Sequence, residues 1–217
     1  MSIATIIIGQ SGTGKSASMR NLDPANTLLI QAIKKPLPFK STGWKDVHAG
    51  GNIYLSDNSM QICNAMKKTS RDIIVIDDFQ YTMANEFMRR VTDQEAGASA
   101  FQKYNEIAKN AWDILNCASS LPDNKRVYFL SHSQADENGN VKIKTIGKLL
   151  DEKITIEGMV SIVLRTSLVN GNYLFSTVNS GHDTTKAPIG LFENELIEND
   201  LAFVDAAICN YYELTKE

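Results

Sequence analysis

The segment that most constrains the fold is a glycine-rich loop directly after an apolar run. Residues Gly9–Ser16 read GQSGTGKS, and the apolar run Ile3–Ile8 precedes them. This matches the phosphate-loop pattern G-x-x-x-x-G-K-[ST] at every fixed position, in the strand-to-helix setting that the pattern needs. Glycines allow the backbone to turn tightly and to point its N–H groups at an anion. The sequence therefore predicts a site for a nucleoside triphosphate at the end of a buried strand.

The loop also predicts the cofactors and the residues that contact them. A helix is expected to begin within Gly14–Ser16, and the positive end of its dipole favours phosphate there. The ammonium of Lys15 is expected on the β- and γ-phosphates of the nucleotide, and the hydroxyl of Ser16 on Mg²⁺. The predicted nucleotide contacts are Gly9, Gln10, Ser11, Gly12, Thr13, Gly14, Lys15, Ser16 and Ala17. A glycine-rich turn that binds nothing is the alternative.

A second apolar strand ends in paired carboxylates. The run Ile73–Ile76 is followed by Asp77 and Asp78, which is the Walker B pattern. In a parallel sheet both strands deliver their carboxyl ends to one edge, where ligands of open α/β sheets bind. Asp77 is expected to hold Mg²⁺ together with Ser16, and Asp78 to orient an attacking water. Read alone, the two acids could equally form an ordinary turn and helix cap.

Composition and periodicity predict one α/β domain over residues 1–217. The chain carries a net charge of -3, and 43% of its residues are hydrophobic, enough for a full core. Strands are predicted at Ile3–Ile8, Thr27–Ala32, Ile73–Ile76, Val127–Leu130, Val160–Arg165 and Tyr173–Val178. The clearest helix is Ala100–Ser119, and irregular structure is expected over Lys34–Asn52 and Ala135–Gly147. The alternation predicts a three-layer sandwich with a mostly parallel central sheet.

The remaining composition bears on the cellular location of the protein and on whether it has disulfides or a zinc site. No apolar run approaches the length of a membrane span, and the N-terminus lacks a signal-peptide pattern, so a cytoplasmic location is expected. The cysteines and histidines are scattered singly, which disfavours a disulfide framework or a zinc site. The acidic stretch from Leu191 to Phe203 is read as an amphipathic helical end.

A later strand has a polar tip that could sense the nucleotide. In one large branch of phosphate-loop ATPases, a strand with a polar end lies between the strands of the two Walker motifs, and Val127–Gln134 resembles it. His132 or Gln134 is the candidate sensor of the γ-phosphate. A hydrogen-bonded residue at a strand end is the alternative.

The basic segment Gly139–Lys148 follows this tip. Its lysines, Lys142, Lys144 and Lys148, are candidates for contact with a nucleic-acid backbone. A solvated hairpin is the favoured alternative, since Lys142 and Lys144 alternate with less polar residues as one exposed face of a strand would. Because the net charge of the chain is -3, any contact with nucleic acid must be made by a local basic surface.

Together the motifs resemble the RecA-like phosphate-loop ATPases encoded by bacteriophages, short RecA-core proteins linked to single-strand DNA annealing and recombination. The similar pieces cover most of the chain: Gly9–Ser16, Ile73–Phe79, the helix with Tyr104 and Trp112, Ser131–Gln134, Val163–Thr166, Phe175–Thr177 and Lys186–Phe192. The two Walker motifs are the specific part, and they belong to a far broader superfamily.

The resemblance implies a RecA-like fold, ATP and Mg²⁺ binding, homo-oligomeric rings or filaments, and contact with single-stranded DNA. It also implies a basic residue that reaches the γ-phosphate of the neighbouring subunit. Lys186, in a loop after Tyr173–Val178, lies where this finger would fall, and Arg165 is a second candidate. The catalytic set is then Lys15, Asp78, Lys186 and His132.

One position departs from the family pattern. RecA-like enzymes usually carry a glutamate at the end of the strand after the phosphate-loop helix, whereas Thr27–Ile30 runs into Gln31. Glutamine cannot take a proton from water. Either Asp78 is the base, or hydrolysis is slow and the nucleotide mainly switches conformation.

Three functions remain compatible with these patterns. The first is a DNA-stimulated ATPase of phage recombination, annealing or replication. The second is a nucleotide-gated oligomeric loader or scaffold with little hydrolysis. It is motivated by Gln31, which stands in place of the usual catalytic glutamate. The third is a small-molecule kinase, disfavoured because no arginine-rich lid segment follows the core.

Overall fold

The structure is a computed structural model that describes residues 1–93 and 99–214. Within these ranges, nine strands form one sheet: β1 Ile3–Gly9, β2 Thr27–Gln31, β3 Ile53–Leu55, β4 Ile73–Asp77, β5 Arg126–Ala135, β6 Val141–Ile143, β7 Ile162–Val169, β8 Asn172–Ser176 and β9 Leu196–Glu198. The α-helices are α1 Ser59–Lys68, α2 Gln80–Arg89, α3 Ser99–Ser119 and α4 Leu201–Tyr211. No helix in the described ranges combines the length and apolarity that crossing a bilayer would need.

The strand order brings the two Walker motifs to one edge of the sheet. The order is β3-β2-β4-β5-β1-β7-β8-β9, with β6 paired to the end of β5. The strands from β3 to β7 in this order are parallel, and β6, β8 and β9 are antiparallel additions. β5 lies between β1 and β4, as predicted for Val127–Gln134. In register, Gly9 of the phosphate loop stands beside His132 of β5.

Alternating side chains of the central strands build the two halves of the core. Ile6 and Ile8 of β1 pack with α1, α2 and α3, whereas Ile7 packs on the opposite face with α4. Strands β2 and β4 alternate in the same way, because successive side chains of a strand point to opposite faces. The apolar face predicted for the long helix is buried at Ile107, Ala108, Ala111, Ile114, Leu115 and Ala118. The predicted three-layer α/β sandwich with a mostly parallel sheet is confirmed.

Several local predictions were wrong. The stretch from Leu191 to Phe203 is not one helix, because Leu196–Glu198 pairs with β8 and buries only Ile197, the alternation of an edge strand. Helix α4 starts afterwards, where the Asp200 side chain accepts a hydrogen bond from the Ala202 N–H and caps the helix. Part of Ala135–Gly147, predicted as irregular, forms β6.

The helix predicted to begin within Gly14–Ser16 is a short 3₁₀ segment. Only a 3₁₀ helix over Ser16–Asn21 follows the loop, and Leu22 already has an extended backbone. Pro24 accounts for this early end, since a proline disfavours helical backbone at the residue before it, Asp23. The chain therefore reaches β2 after one short helical segment.

Candidate active site

The backbone of the phosphate loop passes very close to its neighbours. A Cβ atom on Gly9 would lie 1.8 Å from Thr166 Oγ1 and 2.7 Å from Thr13 Oγ1, so no side chain fits there. Gly14 has a φ of 97°, in the left-handed region that favours glycine. Its backbone also lies against the side chain of Asn199. These two glycines are required by space and by backbone conformation.

The loop opens into a cavity of about 810 Å³, a volume suited to a nucleotide-sized ligand. One part of its wall is the phosphate loop and Walker B, and two others come from the segment after β2 and from the β8–β9 region. The lining residues are Ser11, Gly12, Gly14, Lys15, Ser16, Ala17, Arg20, Lys35, Pro36, Pro38, Asp78, His132, Asn172, Tyr173, Leu174, Glu198 and Asn199. Most of the predicted nucleotide contacts thus face one space.

Ser16 and Asp77 form the part of the site that fits Mg²⁺. The hydroxyl of Ser16 donates to Asp77, with Oγ 2.8 Å from Oδ1 and 3.1 Å from Oδ2. Burial, and then the charge of Asp78, raise the pKa of Asp77, so a cation beside this carboxylate is electrostatically favoured. In the described ranges no three His, Cys, Asp or Glu residues are grouped to hold a metal. One carboxylate and one hydroxyl nevertheless fit Mg²⁺, which keeps waters and phosphate oxygens as its other ligands.

Lys15 is folded back onto its own loop. Its ammonium donates to the carbonyl oxygens of Gly9 and Gln10, at 2.9 Å and 2.7 Å. Burial lowers the pKa of Lys15 to about 8, against the opposing effect of Asp78 and Asp77. A phosphate in the cavity would compensate this buried ammonium better than two carbonyl dipoles do.

Asp78 lies in the cavity in an unusual backbone conformation. It has a φ of 60° and is buried, and residues other than glycine rarely adopt this region. Its carboxylate contacts the ammonium of Lys35, and its Oδ1 lies 3.8 Å from His132 Nε2. Such outliers persist where surrounding structure holds them, often at active sites. Asp78 thus lines the same cavity as Lys15 and Ser16, and its role as a base stays a prediction.

Sequence patterns did not predict Lys35, which belongs to the site. Its ammonium contacts Asp78 and lies 3.5 Å from both Asp77 Oδ2 and Ser16 Oγ. Desolvation acts to lower the pKa of Lys35, but the charges and hydrogen bonds of Asp77 and Asp78 outweigh it, and the pKa is raised. The signal that the sequence held for Lys35 was its position just beyond β2. The carboxyl end of β2 lies at the same edge of the sheet as the carboxyl end of β4.

Gln31 holds the segment that carries Lys35. Its side-chain amide donates to the carbonyl oxygen of Lys35, at 3.2 Å, and its backbone stands beside Asp77 in the sheet. Gln31 is buried. The position that is a glutamate in RecA-like enzymes here supplies a hydrogen-bond donor to the Lys35 segment.

Of the two candidate sensors, His132 faces the cavity. Burial, and then the charge of Lys15, lower its pKa, so His132 is neutral near neutral pH. Gln134 instead donates to Asp151, with Nε2 3.1 Å from Oδ1. The structure therefore brings together Lys15, Asp78 and His132 of the predicted catalytic set.

The other predicted residues are not among those that line the nucleotide cavity. Gly9, Gln10 and Thr13 line a second cavity of about 370 Å³, together with Arg165. The backbone of Lys186 pairs with Val163, near the start of β7, through hydrogen bonds of 2.8 Å and 2.9 Å. Arg165 forms an ion pair with Asp183, at 3.1 Å. A role for Lys186 or Arg165 in a neighbouring subunit stays a prediction.

Two of the three candidate DNA-binding lysines have acidic partners. Lys142 lies 2.7 Å from Asp151, and Lys148 lies 3.5 Å from Glu152. Lys144 is exposed, and its backbone N–H donates to the carbonyl oxygen of His132, at 2.8 Å. The hairpin alternative is supported by β6, and nucleic-acid contact stays a prediction.

The outer wall of the cavity includes residues for which the sequence held no motif. Tyr173 is about half exposed, and its ring lies against Gly14, whose added Cβ would be 3.1 Å from Tyr173 Cδ1. Asn199 is buried, and its Nδ2 has no hydrogen-bond partner among the described residues. Antiparallel pairing of β8 and β9 brings these distant residues beside the phosphate loop.

A family comparison agrees with this geometry. The family model described as AAA domain matches residues 1–188, which include both Walker motifs, β5, β7 and β8. No match was found among the curated proteins. The resemblance seen in the sequence is confirmed at the level of phosphate-loop ATPases, whereas the phage RecA-like group stays a prediction. The chain belongs to the AAA domain family of phosphate-loop ATPases.

Proposed function

We propose that the protein is a magnesium-dependent ATPase in which Asp78 is the general base. The observation that carries this proposal is the position of Asp78, which lines one cavity with Lys15 and Ser16. Gln31, at the usual glutamate position, donates its amide to Lys35 and cannot accept a proton. Asp78 is therefore the carboxylate best placed to take a proton from water beside a bound phosphate.

Each cavity residue then has a separate task. Lys15 exchanges the carbonyl oxygens of Gly9 and Gln10 for phosphate oxygens. Ser16 and Asp77 would hold Mg²⁺, which supplies positive charge to the phosphates. The half-exposed ring of Tyr173 offers a surface on which the adenine base of ATP can stack.

We further propose that turnover responds to single-stranded DNA through the β5–β6 hairpin. His132 in the cavity and Lys144 on the hairpin are joined by a backbone hydrogen bond of 2.8 Å. A change at the γ-phosphate that moves His132 therefore also moves the exposed lysine. DNA phosphates would compete with Asp151 and Glu152 for Lys142 and Lys148.

The resemblance to phage RecA-like ATPases favours a recombination, annealing or replication role and a homo-oligomeric ring or filament. In such an assembly Lys186 would reach the γ-phosphate bound to the neighbouring subunit. Its backbone pairing with β7 fixes the loop from which it extends. Nucleotide-dependent mass in solution tests this assembly, and Lys186→Ala tests the finger.

The decisive experiment is steady-state ATP hydrolysis with and without Mg²⁺ and single-stranded DNA, over a salt series. We expect magnesium-dependent turnover that Lys15→Ala and Asp78→Asn abolish. DNA should stimulate it, the stimulation should fade with salt, and Lys144→Ala should reduce the stimulation alone. Magnesium-dependent turnover without any response to DNA would refute the DNA proposal.

A different outcome would favour the nucleotide-gated loader. ATP binding that changes the oligomeric mass without measurable hydrolysis would reject Asp78 as a working base. Transfer of the terminal phosphate to a nucleoside or nucleotide would instead indicate a kinase.

A further inference from the structure

Lys35 places a positive charge where the proposed function needs a magnesium ion. Its ammonium contacts Asp78 and lies 3.5 Å from both Asp77 Oδ2 and Ser16 Oγ. These are the oxygens assigned above to Mg²⁺ and to the general base. A single side chain therefore neutralises the acidic pair in this structure.

The segment that carries Lys35 allows its ammonium to move while its backbone stays in place. Gln31 holds the carbonyl oxygen of Lys35 at 3.2 Å, so the backbone is tied to the end of β2. The side chain is 35% exposed and lines the cavity beside Pro36 and Pro38. A lysine stem has several rotatable bonds, so its ammonium can reach different partners from one backbone position.

A divalent ion on the oxygens of Asp77 and Ser16 would lie close to the ammonium of Lys35. The divalent ion and the ammonium would repel each other strongly, because like charges interact unfavourably at such short range. ATP that binds together with this ion brings new anionic phosphate oxygens into the cavity that Lys35 already lines. The terminal phosphate of ATP is the partner that becomes available when the carboxylates are taken.

We propose that Lys35 is a phosphate-contacting residue that passes from the Asp77–Asp78 pair to the terminal phosphate when Mg²⁺ and ATP bind. The inference rests on the proposed function. The transfer releases the Asp78 carboxylate from its ion pair when ATP is bound. With ADP the terminal phosphate is missing, and Lys35 returns to the acids.

The first test measures metal binding without nucleotide. Mn²⁺ serves as the probe, because its paramagnetism reports binding by electron spin resonance. In Lys35→Met the acidic pair loses its internal cation, and we expect Mn²⁺ to bind roughly tenfold more tightly than to the wild-type protein. Lys34→Met is the matched control, since Lys34 is its exposed neighbour and should leave the affinity unchanged.

The second test measures nucleotide preference. If Lys35 contacts the terminal phosphate, Lys35→Met should reduce the preference for ATPγS over ADP by roughly tenfold in Mg²⁺, measured by calorimetry. A purely structural lysine would weaken both nucleotides alike. Lys35→Gln, which retains a donor for Asp78, replaces Lys35→Met if that variant fails to fold.

The outcomes separate this inference from the proposed function. Wild-type protein that binds no ATP in Mg²⁺ would overturn both. Normal ATP binding and hydrolysis by the wild type, with unchanged Mn²⁺ affinity and nucleotide preference in the variants, would overturn the role of Lys35 alone. Tighter Mn²⁺ binding with a reduced preference for ATPγS supports the transfer.

Discussion

The hydroxyl of Ser16 lies 2.8 Å from Asp77 Oδ1, which joins residues 61 positions apart in the chain. This bond connects the phosphate loop to Walker B. Ser16 lies shortly after β1 and Asp77 ends β4, and β5 lies between these two strands in the sheet. The two proposed Mg²⁺ ligands are therefore already in place.

Replacement of Ser16 by alanine should remove only the magnesium-dependent part of ATP binding. We expect Ser16→Ala to bind ATP in Mg²⁺ roughly tenfold more weakly than the wild type, because one ligand is lost. In the presence of a chelator the two proteins should bind ATP alike, since Lys15 is retained. Calorimetry under both conditions makes the comparison, and equal weakening with and without Mg²⁺ would show that Ser16 contacts the nucleotide instead.

Asp78→Asn should separate binding from turnover. Asparagine tolerates the left-handed backbone that Asp78 adopts at a φ of 60°, so the substitution removes the carboxylate without adding backbone strain. We expect near-normal affinity for ATP and a loss of hydrolysis of at least about a hundredfold. Asp72→Asn, at the far end of β4, is the control that should hydrolyse normally. Full turnover in Asp78→Asn would exclude Asp78 as the base.

The sequence predicted the phosphate loop and Walker B well because local rules determine them. The glycine-rich loop Gly9–Ser16 directly follows the apolar run Ile3–Ile8, and parallel pairing brings the ends of both Walker strands to one edge of the sheet. The buried face of α3 was equally predictable, since its apolar residues recur at helical spacing. These features need no knowledge of distant contacts.

Lys35, Tyr173 and Asn199 could not be found in this way. Their roles depend on how far a loop folds back over the sheet and on the antiparallel pairing of β8 and β9, which no short pattern reports. Leu196–Glu198 shows the same limit: three residues with acidic neighbours fit a helical stripe as well as an edge strand. Pairing with β8 decided between them, and such pairing is a long-range contact.

Tyr173 should contribute to nucleotide affinity through its ring. Its side chain is about half exposed in the cavity and lies against Gly14, beside the proposed phosphate position. Base stacking on an aromatic ring is worth about 1–3 kcal/mol, so Tyr173→Ala should weaken ATP binding roughly tenfold. Tyr173→Phe keeps the ring and should bind normally. Unchanged affinity in Tyr173→Ala would show that the adenine base does not stack on this ring.

Asp183 should stabilise the loop that leads to Lys186, and this effect should depend on pH. The Asp183 carboxylate is almost fully buried and accepts from Arg165 at 3.1 Å and from Ser180 at 2.7 Å. Burial acts to raise the pKa of Asp183, but its hydrogen bonds outweigh that effect and the pKa is lowered from 3.8. The folded protein therefore binds this proton less readily than the unfolded chain does.

The sign of the pH effect follows from this lowered pKa. The stabilisation is fully present above the unfolded pKa and is lost as the pH falls through the folded pKa. We expect Asp183→Asn to lower the free energy of unfolding by about 2 kcal/mol near neutral pH, and the difference from wild type to shrink below about pH 4. Urea unfolding across this range measures it, with exposed Glu137→Gln as the control. A difference that stays constant down to the lowest pH would show that the charge of Asp183 does not stabilise this loop.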